Sequence, residues 1–166
     1  MSYKSEQLLT STLIMHPKDL TNDIDNVIKY KLKESIEGRC YEDGYIVKDS
    51  LRIVQRSIGN IVTNNKKSEI KYIIKYKAEI ISPSVNDEIN IIISSINKMG
   101  VIGYIKIKES DTFEDSPLIV MVPQEYFVDS SLNFNDLLVN QKIDVITVGS
   151  RTKYNTKNIQ VIAKPL

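Results

Sequence analysis

From Glu69 to Ile105 the chain reads EIKYIIKYKAEIISPSVNDEINIIISSINKMGVIGYI, two unlike strand patterns joined through Pro83. On the N-terminal side Ile70, Tyr72, Ile74, Tyr76 and Ala78 alternate with Lys71, Lys75, Lys77 and Glu79, the period of a strand buried on one face. Ser82-Pro83-Ser84 ends that ladder, because proline has no amide donor and biases the residue before it toward an extended conformation. Ile89 to Ile96 is then a β-branched run too apolar for a strand wetted on one side, and Asn97-Lys98-Met99-Gly100 is a turn into a further strand. Strand, tight Gly-bearing turn, strand is how a small five-stranded barrel begins. The proline therefore marks a boundary between a first domain, residues 1–82, and a second, residues 83–166.

Within the first domain Leu8 to Met15 reads as a short strand closed by His16-Pro17. Ile24, Val27, Ile28, Leu32 and Ile36 form a stripe of period 3.6, with Asp19 or Thr21 to cap its start and Gly38 to end it, which predicts a helix over Leu20 to Glu37. Arg39 to Val47 and Leu51 to Ile61 read as strands with Gly44 and Gly59 at bends, and Thr63 to Ser68 as a polar loop. In the second domain the expected strands are Glu88 to Asn97, Val101 to Lys108, Pro117 to Val122, Lys142 to Gly149 and Asn158 to Ala163, with Pro123 opening a helical turn. The expected class is α+β, mostly β, with the second domain an OB barrel.

Composition narrows the chemistry. With one His and one Cys in 166 residues, neither a zinc cluster nor a Cys/His nucleophile pair can be assembled, and no internal disulfide can form. His16 reads as a packed or capping residue and Cys40 as a small core residue. The acidic loop Glu109 to Asp115 lacks the alternating ligand spacing and turn glycine of a calcium loop, and Ser95-Ile96-Asn97-Lys98 matches a Ser-x-x-Lys pattern without its accompanying motifs. No catalytic residue, metal or cofactor is expected. No apolar run is long enough for a signal segment or membrane span, so the expectation is a soluble, intracellular protein.

Formal charge is +1 overall: residues 1–82 carry 14 Lys+Arg against 11 Asp+Glu, and residues 83–166 carry 8 against 10. No global field argues for nucleic acid. Locally, Arg151, Lys153 and Lys157 bracket Tyr154 in SRTKYNTKN between the last two barrel strands, cations for phosphates and a ring for a base. The same stretch also reads as a solvated hairpin. Lys98 in the first barrel turn and Tyr104 beyond it complete the candidate RNA-binding set, although Tyr104 is equally suited to filling the barrel.

Several stretches fall in the register of one family. Leu13-Ile14-Met15-His16-Pro17 looks like its first strand and Leu-His-Pro ending; Tyr30 to Cys40 looks like its helix end and Glu-Gly-x-Cys turn; Gly44-Tyr45-Ile46 looks like its Gly-Tyr-Ile strand. Ile74 to Pro83 resembles the long strand entering the hinge, Ile96 to Gly100 the Val-Asn-Lys-x-Gly turn, and Val148 to Arg151 with Ile159 to Ala163 the final hairpin. The chain thus resembles the larger stalk subunit of multisubunit DNA-directed RNA polymerases, the seventh subunit of the eukaryotic enzyme and its archaeal counterpart. The resemblance implies an N-terminal RNP-like domain that docks on the large core subunits and an OB barrel facing nascent single-stranded RNA, with a smaller stalk subunit alongside. It places docking at Glu37, Gly38, Cys40, Gly44 and Tyr45 and at the loop bearing Asn64 and Lys66. Two departures are visible: Val62 to Lys67 replaces a Gly-rich loop, and Val101 and Ile102 stand where the family carries aromatics. Such drift, with the Ile/Lys/Asn-rich composition, suits the polymerase of a large DNA virus, in virion and host cytoplasm; a cellular eukaryotic subunit would be nuclear. The rival reading is a free-standing single-stranded RNA-binding OB protein acting in translation or RNA handling.

Overall fold

The computed structural model describes residues 3–166, with only the backbone described at Asn64. The chain divides into two compact units: Glu6–Glu37 with Ile46–Ile80, and Gly38–Tyr45 with Ile81–Leu166 and the N-terminal residues up to Ser5. The barrel unit thus takes in segment 38–45, far from it in sequence.

The first unit is built on strands β1 (Lys4–Met15), β4 (Arg52–Arg56), β5 (Asn60–Asn64) and β6 (Lys67–Ile81) and helix α1 (Ile24–Ile36). β6 behaves as its alternation predicts, with Tyr72, Ile74, Tyr76, Ala78 and Ile80 buried and Lys71, Lys75 and Lys77 exposed. It is the spine of the sheet: β1 lies on one side, and β5 and β4 pair in turn with successive stretches of the other. α1 buries Ile28, Leu32 and Ile36, spaced by one turn each.

The helix is shorter than the expected Leu20–Glu37. Pro17–Asp19 forms a separate 3-10 turn, where the Asp19 carboxylate accepts from the His16 amide at 3.2 Å and Lys31 approaches at 3.4 Å. The real N-cap is Asp23, and Gly38 ends the helix with φ 73°. Asp19 therefore caps a different element from the one its spacing suggested. β1 is likewise longer than the expected Leu8–Met15. The predicted polar loop Thr63–Ser68 is instead the tip of the β5–β6 hairpin, a two-residue turn with Asn65 at φ 48° and Lys66 at φ 64°.

In the second unit β7 (Glu88–Asn97), β8 (Gly100–Tyr104), β9 (Leu118–Pro123), β10 (Lys142–Arg151) and β11 (Ile159–Pro165) close into a barrel in the order β10-β11-β9-β8-β7. β7 closes it by pairing with β10, Ile89 opposite Val145 and Ile91 opposite Ile143. All pairings are antiparallel except β9 with β11. This is an OB-like barrel. Ile89, Ile91, Ile93, Val120, Val145 and Val161 fill it. Gly100 is required at the β7–β8 turn: its φ is +145°, and a Cβ there would lie 2.2 Å from the Val122 carbonyl oxygen. β8 stops at Tyr104, short of the expected Lys108. There the Asp111 carboxylate accepts from the amides of Ile107 and Lys108, and Asp115 from Thr112, so these loop carboxylates organise turns.

The expected strand Arg39–Val47 is a hairpin, β2 (Cys40–Tyr41) and β3 (Gly44–Ile46), turning at Glu42-Asp43 with Gly44 at φ 129°.

Candidate nucleic-acid interface

The turn between β10 and β11 gathers most of the predicted RNA-binding residues. Arg151 ends β10 opposite Gln160, and Lys153, Tyr154 and Lys157 follow in the connection, all exposed. Sequence local to this turn holds its shape. Thr156 Oγ1 donates to the Lys153 carbonyl at 2.7 Å, and Asn155 takes φ 63°, which asparagine tolerates. From Val145 to Leu166 the chain carries Arg151, Lys153, Lys157 and Lys164 and no carboxylate side chain, so a basic segment sits inside a domain that is acidic as a whole.

The β2–β3 hairpin is tied to this turn. The Cys40 amide donates to the Thr156 carbonyl and the Asn155 amide to the Cys40 carbonyl, each at 2.7 Å. Arg39 Nη1 donates to Asn155 Oδ1 at 3.5 Å. Tyr41 meets Tyr154 edge to face, centroids 5.1 Å apart and planes at 88°. Tyr154 nevertheless remains 74% exposed, a ring held by its edge contact and open to a further partner. Tyr41, Glu42, Thr152 and Tyr154 line an open recess of about 390 Å³ beside it. Burial raises the Tyr41 phenol above its ordinary range, with Tyr154 adding to the effect, so Tyr41 is neutral near pH 7.

Arg39 and Tyr41 are the residues sequence reasoning missed here. The signal was their alternation around Cys40, which puts both on one side of a strand, but nothing local says that this strand meets a turn more than a hundred residues later.

The other RNA candidates lie apart from this group. Lys98 is exposed in the β7–β8 turn, whose shape is set by Asn97 Oδ1 accepting from the Met99 amide at 2.8 Å. Tyr104 is 8% exposed and packs edge to face against Phe113 at 5.8 Å, so its ring is spent on an internal contact. It borders a different recess of about 450 Å³ with Lys106, Lys142, Asn90 and Asn140. On the outward side of β8, β9 and β11, Ile102 stands opposite Met121 and Met121 beside Ile162, a row of aliphatic side chains where stacking rings would be needed to hold bases.

The predicted docking residues are mostly interior. Cys40 is fully buried, Tyr45 is 2% exposed, and Gly38 and Gly44 are also buried. Burial raises the Cys40 thiol, and burial chiefly, with Cys40, Asp111 and Asp115 nearby, pushes Tyr45 up to about 12. These residues build the hairpin and have no side-chain surface to offer. Glu37 is half-buried, its carboxylate accepting from the Asp49 amide and its pKa raised by burial. Lys66 is exposed at the β5–β6 tip, while the side chain of Asn64 lies outside the described residues.

Among the described residues no group of three or more His, Cys, Asp or Glu side chains is arranged to hold a metal ion, and no helix is long and apolar enough to cross a membrane. No family model of known proteins matches this chain, and no curated protein matches it significantly.

Proposed function

We propose that this chain is a non-catalytic stalk subunit of a DNA-directed RNA polymerase, docking on the large core subunits through its N-terminal, RNP-like unit and guiding nascent RNA with its barrel. The observation that carries the reading is a conjunction: motifs in register with that family precede and enter a closed barrel of OB-like strand order. The exposed cations and ring of the β10–β11 turn lie in the connection that OB barrels commonly use for single strands. With Gly38, Cys40, Gly44 and Tyr45 buried, the predicted docking surface that the N-terminal unit itself leaves to a core enzyme is the Asn65-Lys66 tip. A smaller stalk subunit is a further expected partner, and a viral polymerase the expected setting.

Affinity purification of the tagged chain from its natural source tests the reading. A stoichiometric set of large polymerase subunits is the expected result; RNA without polymerase would replace it with a free-standing single-strand-binding protein. That second reading draws on the basic stretch Val145–Leu166. For the purified protein, Ala at Arg151, Lys153, Tyr154 and Lys157 should weaken single-stranded RNA binding. Each lost phosphate contact should flatten the salt dependence by roughly 0.7 in log K per log salt, and loss of a stacked ring should cost about 1–3 kcal/mol. Equal affinities and slopes would remove the turn from the interface.

A further inference from the structure

β1 stands at the end of its sheet, with β6 its only strand neighbour among the described residues. Its 12 residues make a long edge. Proteins usually blunt such edges with charge, proline, bulges or brevity. Between Gln7 and Met15 this strand has no charged residue and no proline. Its outward face bears Leu8, Thr10, Thr12 and Ile14, with Leu8 58% and Ile14 54% exposed.

The order of those residues names a partner. Leu8 to Ile14 reads LLTSTLI, symmetrical about Ser11: Thr10 mirrors Thr12, Leu9 mirrors Leu13 and Leu8 mirrors Ile14. Two copies of the strand laid antiparallel about a twofold axis through Ser11 put Leu8 opposite the partner subunit's Ile14 and Thr10 opposite the partner subunit's Thr12. Threonine-to-threonine and aliphatic-to-aliphatic are favourable cross-strand pairings, and no like charges meet. Positions of the same parity face each other, so the exposed side chains of both copies stay on one face of a continuous sheet. The interface is isologous and closes at two copies.

We propose that β1 is a self-association edge through which two copies of this chain join their N-terminal sheets, antiparallel and centred on Ser11. The inference is independent of the polymerase reading, since it concerns the free protein.

Sedimentation equilibrium of the full chain tests it, together with two double variants at exposed positions. The native protein is expected to pass from monomer to dimer with a midpoint on the order of 10–100 µM, the weak range of small interfaces. Thr10→Lys with Thr12→Lys sets like charges opposite each other twice and should weaken association about tenfold or more. Thr10→Lys with Thr12→Glu sets opposite charges in the same places and should associate at least as well as the native chain. Circular dichroism verifies that both variants are folded. A native chain that stays monomeric to about 1 mM, two variants that associate alike, or growth beyond the dimer would each overturn the proposal.

Discussion

In the barrel every strand has two neighbours, and β7 meets β10 to leave no edge. In the N-terminal unit a single long strand, β6, carries three others, and the sheet ends at β1 with half of that strand's backbone groups directed away from β6. The two regions use similar residues: Ile89, Ile91 and Ile93 in one, Ile74, Ile80 and Tyr76 in the other. What separates them is the fate of their aliphatic surplus. Along its strands the barrel turns most of it inward, with Val148 and Ile162 left exposed. The open sheet leaves Leu8, Ile14, Val54, Ile61 and Ile73 in water. Closure demands exact backbone fit at a few points, whereas an open sheet is tolerant of change and available for pairing.

The sharpest test of that contrast is at Gly100. Ala there would meet both an unfavourable backbone angle and the Val122 carbonyl oxygen 2.2 Å away, so we expect Gly100→Ala to cost about 3–4 kcal/mol in urea unfolding. Ile91→Ala should follow closely at about 3 kcal/mol, since Ile91 is wholly buried in the barrel. Leu8→Ala on the open sheet should move stability by less than about 0.5 kcal/mol. A cost at Leu8 matching that at Ile91 would break the comparison.

Alkaline pH gives the next effect. Tyr45 ordinarily ionises near 10.0, and burial in the hairpin pushes it up to about 12. Below the lower value both folded and unfolded chains keep the proton, and the stabilisation is complete. Between pH 10 and about 12 only the unfolded chain loses it, so stability falls as pH rises, by up to about 2–3 kcal/mol. Tyr45→Phe should show a shallower decline between pH 9 and pH 11.5; an unchanged slope would assign the sensitivity to Tyr3, Tyr41 and Cys40, which burial also raises.

Two smaller effects separate the regions further. Thr147 in β10 is 1% exposed, and its hydroxyl is the buried side-chain polar atom without a partner among the described residues. Thr147→Val should therefore stabilise the barrel by about 1 kcal/mol, read as a higher urea midpoint. In the open sheet Arg56 pairs with Asp25 at 2.5 Å and lies over the Tyr72 ring, 5.7 Å from its centroid. Because the pair is solvent-accessible, Arg56→Ala should cost no more than about 0.5–1 kcal/mol, and less at high salt.

The same contrast explains what the sequence disclosed. Alternation and β-branching placed β7 at its observed bounds and β6 with its buried face, because long regular strands write their period into many residues. Short elements do not. The hairpin at Cys40–Ile46 does carry an Asp43-Gly44 turn signal, but its strands are only two and three residues long, too short for an alternation to be read. The β5–β6 turn was hidden because Asn65 and Lys66 take positive φ without a glycine. At the candidate interface, charge and ring were legible at Arg151, Lys153, Tyr154 and Lys157 as residue types. The burial of Tyr45 was not, since it lies near Asp111 and Asp115, remote in sequence, and the open choice at Tyr104 between stacking and filling the barrel is decided by Phe113.

That hairpin bears on how the protein comes into being. Arg39 and Asn155 stand 116 positions apart, and the neighbouring Cys40 can make its two backbone bonds only once Thr156 exists. A ribosome adding roughly 5–20 residues per second leaves segment 38–45 waiting roughly 6–23 seconds for its counterpart. The N-terminal helix and the β5–β6 hairpin can form as soon as they are synthesised, whereas segment 38–45 cannot complete its backbone bonding to Asn155 and Thr156 until residue 156 has been made, and Cys40 lacks those two bonds for that interval.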